Sequence, residues 1–357
     1  MSSTPQTPGI APLGQTGELR SHAASVAPAA SDAAASAELD ARRIRRGLLL
    51  AGAGVLMFAL TLPLTRLAGG TAQAPQLPPD FVAFGRAAVA GLLSIAWLLL
   101  QRAAWPTPAQ WRILLLGGVG VVLGFPLGLG FAVREVPAAH AAVVTGVLPL
   151  ATALVATVWL HERAGTAFWA CASLGCVLVL AYAWHQGGGA LSHGDVLLLG
   201  AVASAACGYV AGARLAGSGM PPAQVICWML VACLPVTALL ALQQVAAYGA
   251  AWRAGSVGTA AWLAFAYVSV VSMWLGFFAW YRGLAMAGTL RASQLQLMQP
   301  FVAMLAAVPL LGEALDALTV GCALAVLACV ALGQRLHRHG AAPRAVPLTP
   351  TAPQPAR

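Results

Sequence analysis

The sequence predicts an all-α integral membrane protein of ten transmembrane helices arranged as two inverted five-helix repeats. Three observations lead there. Hydrophobic residues make up 60% of the chain and charged residues 8%, with a mean hydropathy of +0.80, whereas a soluble domain carries about 25% charged residues. The apolar residues fall into ten runs, each near the roughly 20 residues a helix needs to cross a bilayer. One of those runs is written twice: HAAVVTGVLPLATALVATVWLHE, from His140 to Glu162, and RASQLQLMQPFVAMLAAVPLLGE, from Arg291 to Glu313, align without a gap and share six of 23 positions.

Taken in order, the runs lie at about 47–67, 81–100, 113–133, 138–160, 166–184, 195–216, 221–247, 258–281, 289–311 and 316–334. The first 46 residues are rich in Ala, Ser, Pro and Thr without periodicity and read as a disordered cytoplasmic tail. A cleaved leader does not fit, because the first run starts near Gly47 and spanning runs follow it. Residues 336–357 read as a second disordered tail.

Charge sets the orientation. Arg42, Arg43, Arg45 and Arg46 precede the first run and Arg335 and Arg338 follow the last, so both termini are expected in the cytoplasm. The loops this leaves inside hold Arg102, Arg112, Arg163, Arg214, Arg282 and Arg291, against Arg66, Arg134 and Arg253 outside. With the terminal clusters the inside excess is twelve to three, which nine or eleven spans would spoil. The net charge of +9 comes from arginine alone, since no lysine occurs. That usage points to a GC-rich bacterial genome, and hence to a bacterial inner membrane. Because the arginines stand singly between apolar runs, they form no nucleic-acid patch.

The repeat reaches beyond the duplicated run. Arg66-Leu67-Ala68 ends the first span and Arg214-Leu215-Ala216 the sixth, and the same offset aligns Gly52 with Gly200 and Leu49 with Leu197. Two halves follow, at 47–187 and 188–335. An odd number of spans per half makes the second enter from the opposite side. That arrangement is common in secondary transporters, whose substrate site lies between the halves near the midplane.

These residues carry a family resemblance. VPAAHAAVVTGVLPLATALVATVWLHER and YRGLAMAGTLRASQLQLMQPFVAMLAAVPLLGE, with Pro149 before His161-Glu162-Arg163, Pro300 before Gly312-Glu313, and Arg86 early in the second span, resemble the EamA-type members of the drug/metabolite transporter superfamily. The resemblance covers about 47–335. It implies a secondary transporter working by alternating access and exporting a small metabolite, amino acid or drug-like solute, with import of a similar solute as the alternative. One departure is Ala314, where the family often has a basic residue after Gly-Glu.

Polar residues inside apolar runs are the candidates for touching cargo, because an ionisable group in lipid is costly unless it faces protein or water. Arg86 stands about two turns into its span, where snorkelling and a cavity role both explain it. In a cavity, its planar fork suits a carboxylate or phosphate. In the ninth span, Ala292, Gln296, Gln299, Ala303, Ala306 and Ala307 share a stripe about 100° wide. It reads either as a cavity wall or as a small-residue packing seam. Pro300 frees a carbonyl one turn earlier, which makes this level locally polar. Thr145 and Thr152 flank Pro149 in the fourth span as the weaker counterpart.

Tyr209, Tyr267 and Trp274 lie deep enough to stack on cargo or simply to pack. Pro149, Pro300 and Gly124 are the hinge candidates; Gly124 belongs to a Gly120-Gly124-Gly128 series that reads first as a packing seam. His140, Glu162 and Glu313, near helix ends, are candidates for carrying a coupling proton or for pairing. The seven cysteines all sit in apolar runs, are odd in number and form no CxxC, so they read as small buried hydrophobes. No metal-ligand spacing, phosphate loop or nucleophile elbow is written in the chain. Catalytic residues, a metal and a cofactor are therefore not expected. A membrane-embedded lipid-modifying enzyme is the competing class. The expected partners are a small-molecule substrate, a coupling proton or counter-solute, and the lipid bilayer, for a monomer or homodimer.

Overall fold

The computed structural model describes residues 18–159, 166–287 and 295–340. Among these residues the secondary structure is helical, apart from one isolated bridge between Gly70 and Pro75. The helices are α1 (Glu18–Ala59), α2 (Thr61–Gly69), α3 (Pro79–Leu100), α4 (Pro108–Gly118), α5 (Phe125–Glu135), α6 (Ala138–Thr145), α7 (Leu148–Trp159) and α8 (Thr166–Gln186). They continue with α9 (His193–Gly217), α10 (Pro222–Arg253), α11 (Thr259–Ala266), α12 (Gly276–Ala287), α13 (Gln299–Leu311) and α14 (Ala317–Gly340). Two π-helical segments, Val119–Gly124 and Tyr267–Leu275, join α4 to α5 and α11 to α12.

Among the described residues, seven helical stretches are long and apolar enough to cross a membrane: 38–69, 79–100, 108–135, 138–159, 193–217, 222–253 and 259–283. α8, α13 and α14 occupy the three remaining apolar runs of the sequence. Leucines such as Leu92, Leu99, Leu242, Leu263 and Leu305 are exposed on the outside, a surface that lipid complements and water does not.

Residues 18–46 form the continuous start of α1. Alanine, counted there with the tail-forming residues, is also the best helix former, and Glu38 pairs with Arg42 one turn on. At the other end, α14 continues through residue 340, five residues into the segment read as a second tail.

Prolines place the ends and breaks. Pro79, Pro108 and Pro222 sit in first turns, where a missing N–H costs nothing. Pro63 cannot donate to Ala59, and the helix is interrupted at Leu60. Thr107 and Gln110 close a capping box on α4, as Ser192 and Asp195 do on α9. Asp316 accepts from the Thr319 N–H at 2.6 Å before α14; hydrogen bonding from Thr319 holds its carboxyl below the usual aspartate range.

The helices pair in a pattern that exchanging the two halves leaves intact. α1 packs on α12 while α9 packs on α5 and α4; α3 packs on α10, α6 on α13 and α8 on α14. The two π segments obey the offset that aligns Arg66 with Arg214: Val119 opens one and Tyr267 the other. Small residues make these contacts close. A Cβ on Gly120 would stand 2.9 Å from the Gly208 nitrogen, and one on Gly47 would stand 2.6 Å from the Ala287 nitrogen. Gly124, a hinge candidate, is wedged against the Ser204 side chain, so it belongs to this seam. Disulfides play no part, for all seven cysteines are free.

Candidate functional site

The site begins with two interrupted helices. α6 ends at Thr145, turns through Gly146 and Val147, and resumes at Leu148 as α7. The ninth run turns at Leu297 and Met298 and resumes as α13 at Gln299. The interruptions fall at matching places in the duplicated run, three residues before Pro149 and Pro300. Neither proline has an N–H, so the carbonyls of Thr145 and Gln296 lose their helical donors. The two breaks lie side by side: a Cβ on Gly146 would lie 3.6 Å from Pro300 Cγ, an ordinary contact distance.

A cavity of about 240 Å³ opens at this level. Thr145, Pro149, Thr152, Gln296, Gln299 and Pro300 line it, and Arg86 and Tyr209 face it from α3 and α9. The structure thus gathers eight polar or proline positions that are distant in sequence around one void. The ninth-span stripe divides: Gln296 and Gln299 border the cavity, while Ala303 and Ala307 are buried in helix packing. Ala292 lies outside the described residues.

Arg86 does not snorkel. It is 3% exposed, its Nε and Nη1 have no hydrogen-bond partner, and Nη2 meets only the Met273 sulfur at 3.4 Å. A charged arginine at a helix centre costs about 2.5–3.5 kcal/mol, and among the described residues no Asp or Glu lines the cavity to offset that cost. Water in the cavity is what such a group requires. Tyr209 is near enough to interact with it electrostatically.

Trp274 and Tyr267 do not line the cavity. Trp274 packs edge-on against Phe278 at 4.7 Å, and the Tyr267 hydroxyl donates to the Met57 carbonyl at 3.4 Å. Both belong to the π segment, whose i→i+5 bonding turns successive side chains by less than the about 100° of an α-helix. The sequence reading chose these two by depth, which does not decide the face they take. Ser272, Met273 and Phe277 occupy the cavity side instead.

Sequence reasoning missed a second polar pair there. Thr61 and Ser272 hydroxyls meet at 2.6 Å, linking α2 to the second π segment at the cavity wall. Hydroxyls in membrane helices usually bond their own backbone, as Thr145 does to the Ala141 carbonyl at 2.7 Å, so no local signal marks this pair.

Glu313 and His140 lie away from the cavity, each with a partner. Gly312 ends α13 in the left-handed region at φ +67°, a conformation glycine adopts without strain. The turn brings the Glu313 carboxylate onto the N-terminus of α6, where it accepts from Ala138 and Ala139 at 2.8 and 2.9 Å. Arg66 Nε stands 3.4 Å from the same carboxylate and donates from Nη1 to the Val133 and Val136 carbonyls. His140 Nε2 lies 2.6 Å from Asp195 Oδ1, both side chains buried, with the Tyr182 ring stacked at 5.0 Å. Sequence reasoning missed Asp195, which is held here by its capping box with Ser192 at the start of α9. Glu162 lies outside the described residues.

Comparison with known proteins agrees with this architecture. Over 285 residues the chain is 39% identical to the "Uncharacterized transporter YdeK" of Bacillus subtilis (strain 168), covering 80% of this chain and 96% of the relative. One solved crystal structure, 20% identical, superposes with a TM-score of 0.53 over 82% of this chain and 97% of its own, which shows a shared fold. The EamA-like transporter family matches twice, at 45–183 and 192–333, once for each half. With a family unit in each half and the broken helix of each half meeting at one cavity, the chain belongs to the EamA-like transporter family.

Proposed function

We propose that this membrane transporter is a ten-span secondary carrier that exports a small metabolite, amino acid or drug-like solute by alternating access. Its two five-helix halves are inverted relative to each other, with both termini in the cytoplasm of a bacterium and the spans in its inner membrane. Thr145, Tyr209, Gln296, Gln299 and Arg86 contact the cargo in the central cavity. Pro149 and Pro300 let α6–α7 and α13 flex about their breaks as the halves rock. The driving force is a proton or counter-solute gradient, and the working unit is a monomer or homodimer. Export follows the family resemblance.

The observation that carries this reading is the meeting of the two broken helices. Unwound backbone at membrane depth is tolerated where it lines a cavity or is buried in protein, and discontinuous helices at the interface of repeats are how secondary transporters build their sites. The main helix pairings, preserved when the halves are exchanged, support a two-fold relation between them, and the odd number of spans in each half makes that relation an inversion.

Two measurements test it. Reporter fusions at both ends should report the cytoplasm, and termini on opposite sides would dispose of the inverted repeat. A deletion strain screened against toxic amino acids and metabolites should become sensitive to the exported compound. Resistance instead would mean import, and lipid turnover by the protein in detergent would favour an enzyme.

A further inference from the structure

The transport reading places Arg86 among the cargo contacts without saying what it selects: among the described residues, this positive charge on the cavity wall has no acidic partner. Arg86 is buried, two of its guanidinium nitrogens lack partners, and the third meets only a thioether. The other polar groups on the lining are hydroxyls and amides, from Thr61, Thr145, Thr152, Tyr209, Ser272, Gln296 and Gln299, all of them neutral donors or acceptors. The remaining wall is apolar, with Phe58, Phe125, Met273 and Phe277 prominent. Structural arginines in this protein look different. Arg66 holds a carboxylate and two carbonyls, and Arg214 lies 5.9 Å from the Trp159 ring.

We propose that the cargo is a small organic carboxylate on an apolar or aromatic body, its carboxylate held by Arg86. This rests on the cavity being the transport site. A carboxylate matches the planar fork with two parallel hydrogen bonds and supplies the missing counter-charge. Organic cations are rejected, because they would meet the arginine with no acidic group among the described lining residues to offset it. The wall of the cavity of about 240 Å³ is mostly apolar and carries aromatic rings, which suits a branched aliphatic or aromatic body. Hydroxyl and amide oxygens on the wall can also serve an ammonium group, so both the plain acid and the zwitterion of such a body are accepted.

Matched compounds separate these cases. Purified protein in detergent is titrated with 4-methylpentanoate, leucine, leucinamide and isoamylamine, and with 3-phenylpropionate, phenylalanine, phenylalaninamide and phenethylamine, following its thermal unfolding. The expected result is stabilisation by the carboxylate-bearing members, with amides and amines weaker by about tenfold or more. Arg86→Gln should lose that discrimination and Arg86→Lys should keep part of it. Without ligand, Arg86→Gln should unfold at the wild-type temperature or above, since it removes an uncompensated buried charge. If it does not fold, the Lys variant must still show carboxylate affinity reduced below wild type.

Equal binding of amines or amides, wild-type carboxylate affinity in either variant, or no binding by any carboxylate of the set would overturn the assignment. Counterflow of labelled leucine and phenylalanine into proteoliposomes distinguishes this from failure of the transport reading. Binding without counterflow leaves the carboxylate site standing and removes transport. Counterflow of the amines alone does the reverse.

Discussion

Arg66 and Glu313 tie the end of the first span to the end of the ninth. Their 3.4 Å contact is part of a larger clasp, because Glu313 also caps α6 and Arg66 also binds the last carbonyls of the α5 region. Three segments from both halves are thereby fixed at one end of the bundle. The clasp sits at the level where α6 begins, one short helix away from the break at Gly146, so it anchors the segment whose far end lines the cavity.

Glu313→Gln keeps the shape but removes the charge and sets an amide NH₂ against one of the two helix N–H groups. Hydrogen bonds to charged groups contribute about 1.5–3 kcal/mol, and this carboxylate is only 11% exposed. The expected result is a lower unfolding temperature in detergent together with altered transport. An unchanged melting curve would show that the clasp contributes nothing.

His140→Ala strands Asp195 Oδ1 in a site where the aspartate is 1% exposed. A buried acceptor without a partner costs about 1–3 kcal/mol, and the stacking with Tyr182 is lost as well. His140→Gln, which restores a donor near Nε2, should recover part of that loss. Equal melting temperatures for the two variants would mean that the hydrogen bond is not what matters.

Gly120→Ala and Gly200→Ala form a contrasting pair. At Gly120 a methyl group would press on the backbone of α9, 2.9 Å from the Gly208 nitrogen, whereas at Gly200 nothing lies within 4 Å. Overpacking costs about 1–3 kcal/mol, while alanine for glycine in an open helical position gains up to about 1 kcal/mol. Thermal unfolding should therefore move in opposite directions, and movement in the same direction would refute the seam between α9 and the first π segment.

Gln299→Leu removes a polar group from the cavity wall without disturbing the helix start. Transport of the native cargo should fall about tenfold with expression and melting temperature retained. Wild-type transport by this variant, assayed in vesicles, would take Gln299 out of the site.

The sequence by itself determined the class of the protein, its apolar runs, its duplication and the level at which two prolines make the backbone locally polar. These are properties of local chemistry: hydropathy decides which segments enter lipid, and a proline frees a carbonyl wherever it stands. Pro149 and Pro300 could be read as hinge candidates for that reason, while the turns three residues before them came from the structure. Only the tertiary structure decided which way side chains face. Snorkelling and cavity exposure differ for Arg86 by which neighbours surround it, and the partners of Glu313 and His140 come from other helices. Depth alone placed Tyr267 and Trp274 near the cargo, whereas the face each takes is decided by its neighbours, Met57 for the one and Phe278 for the other.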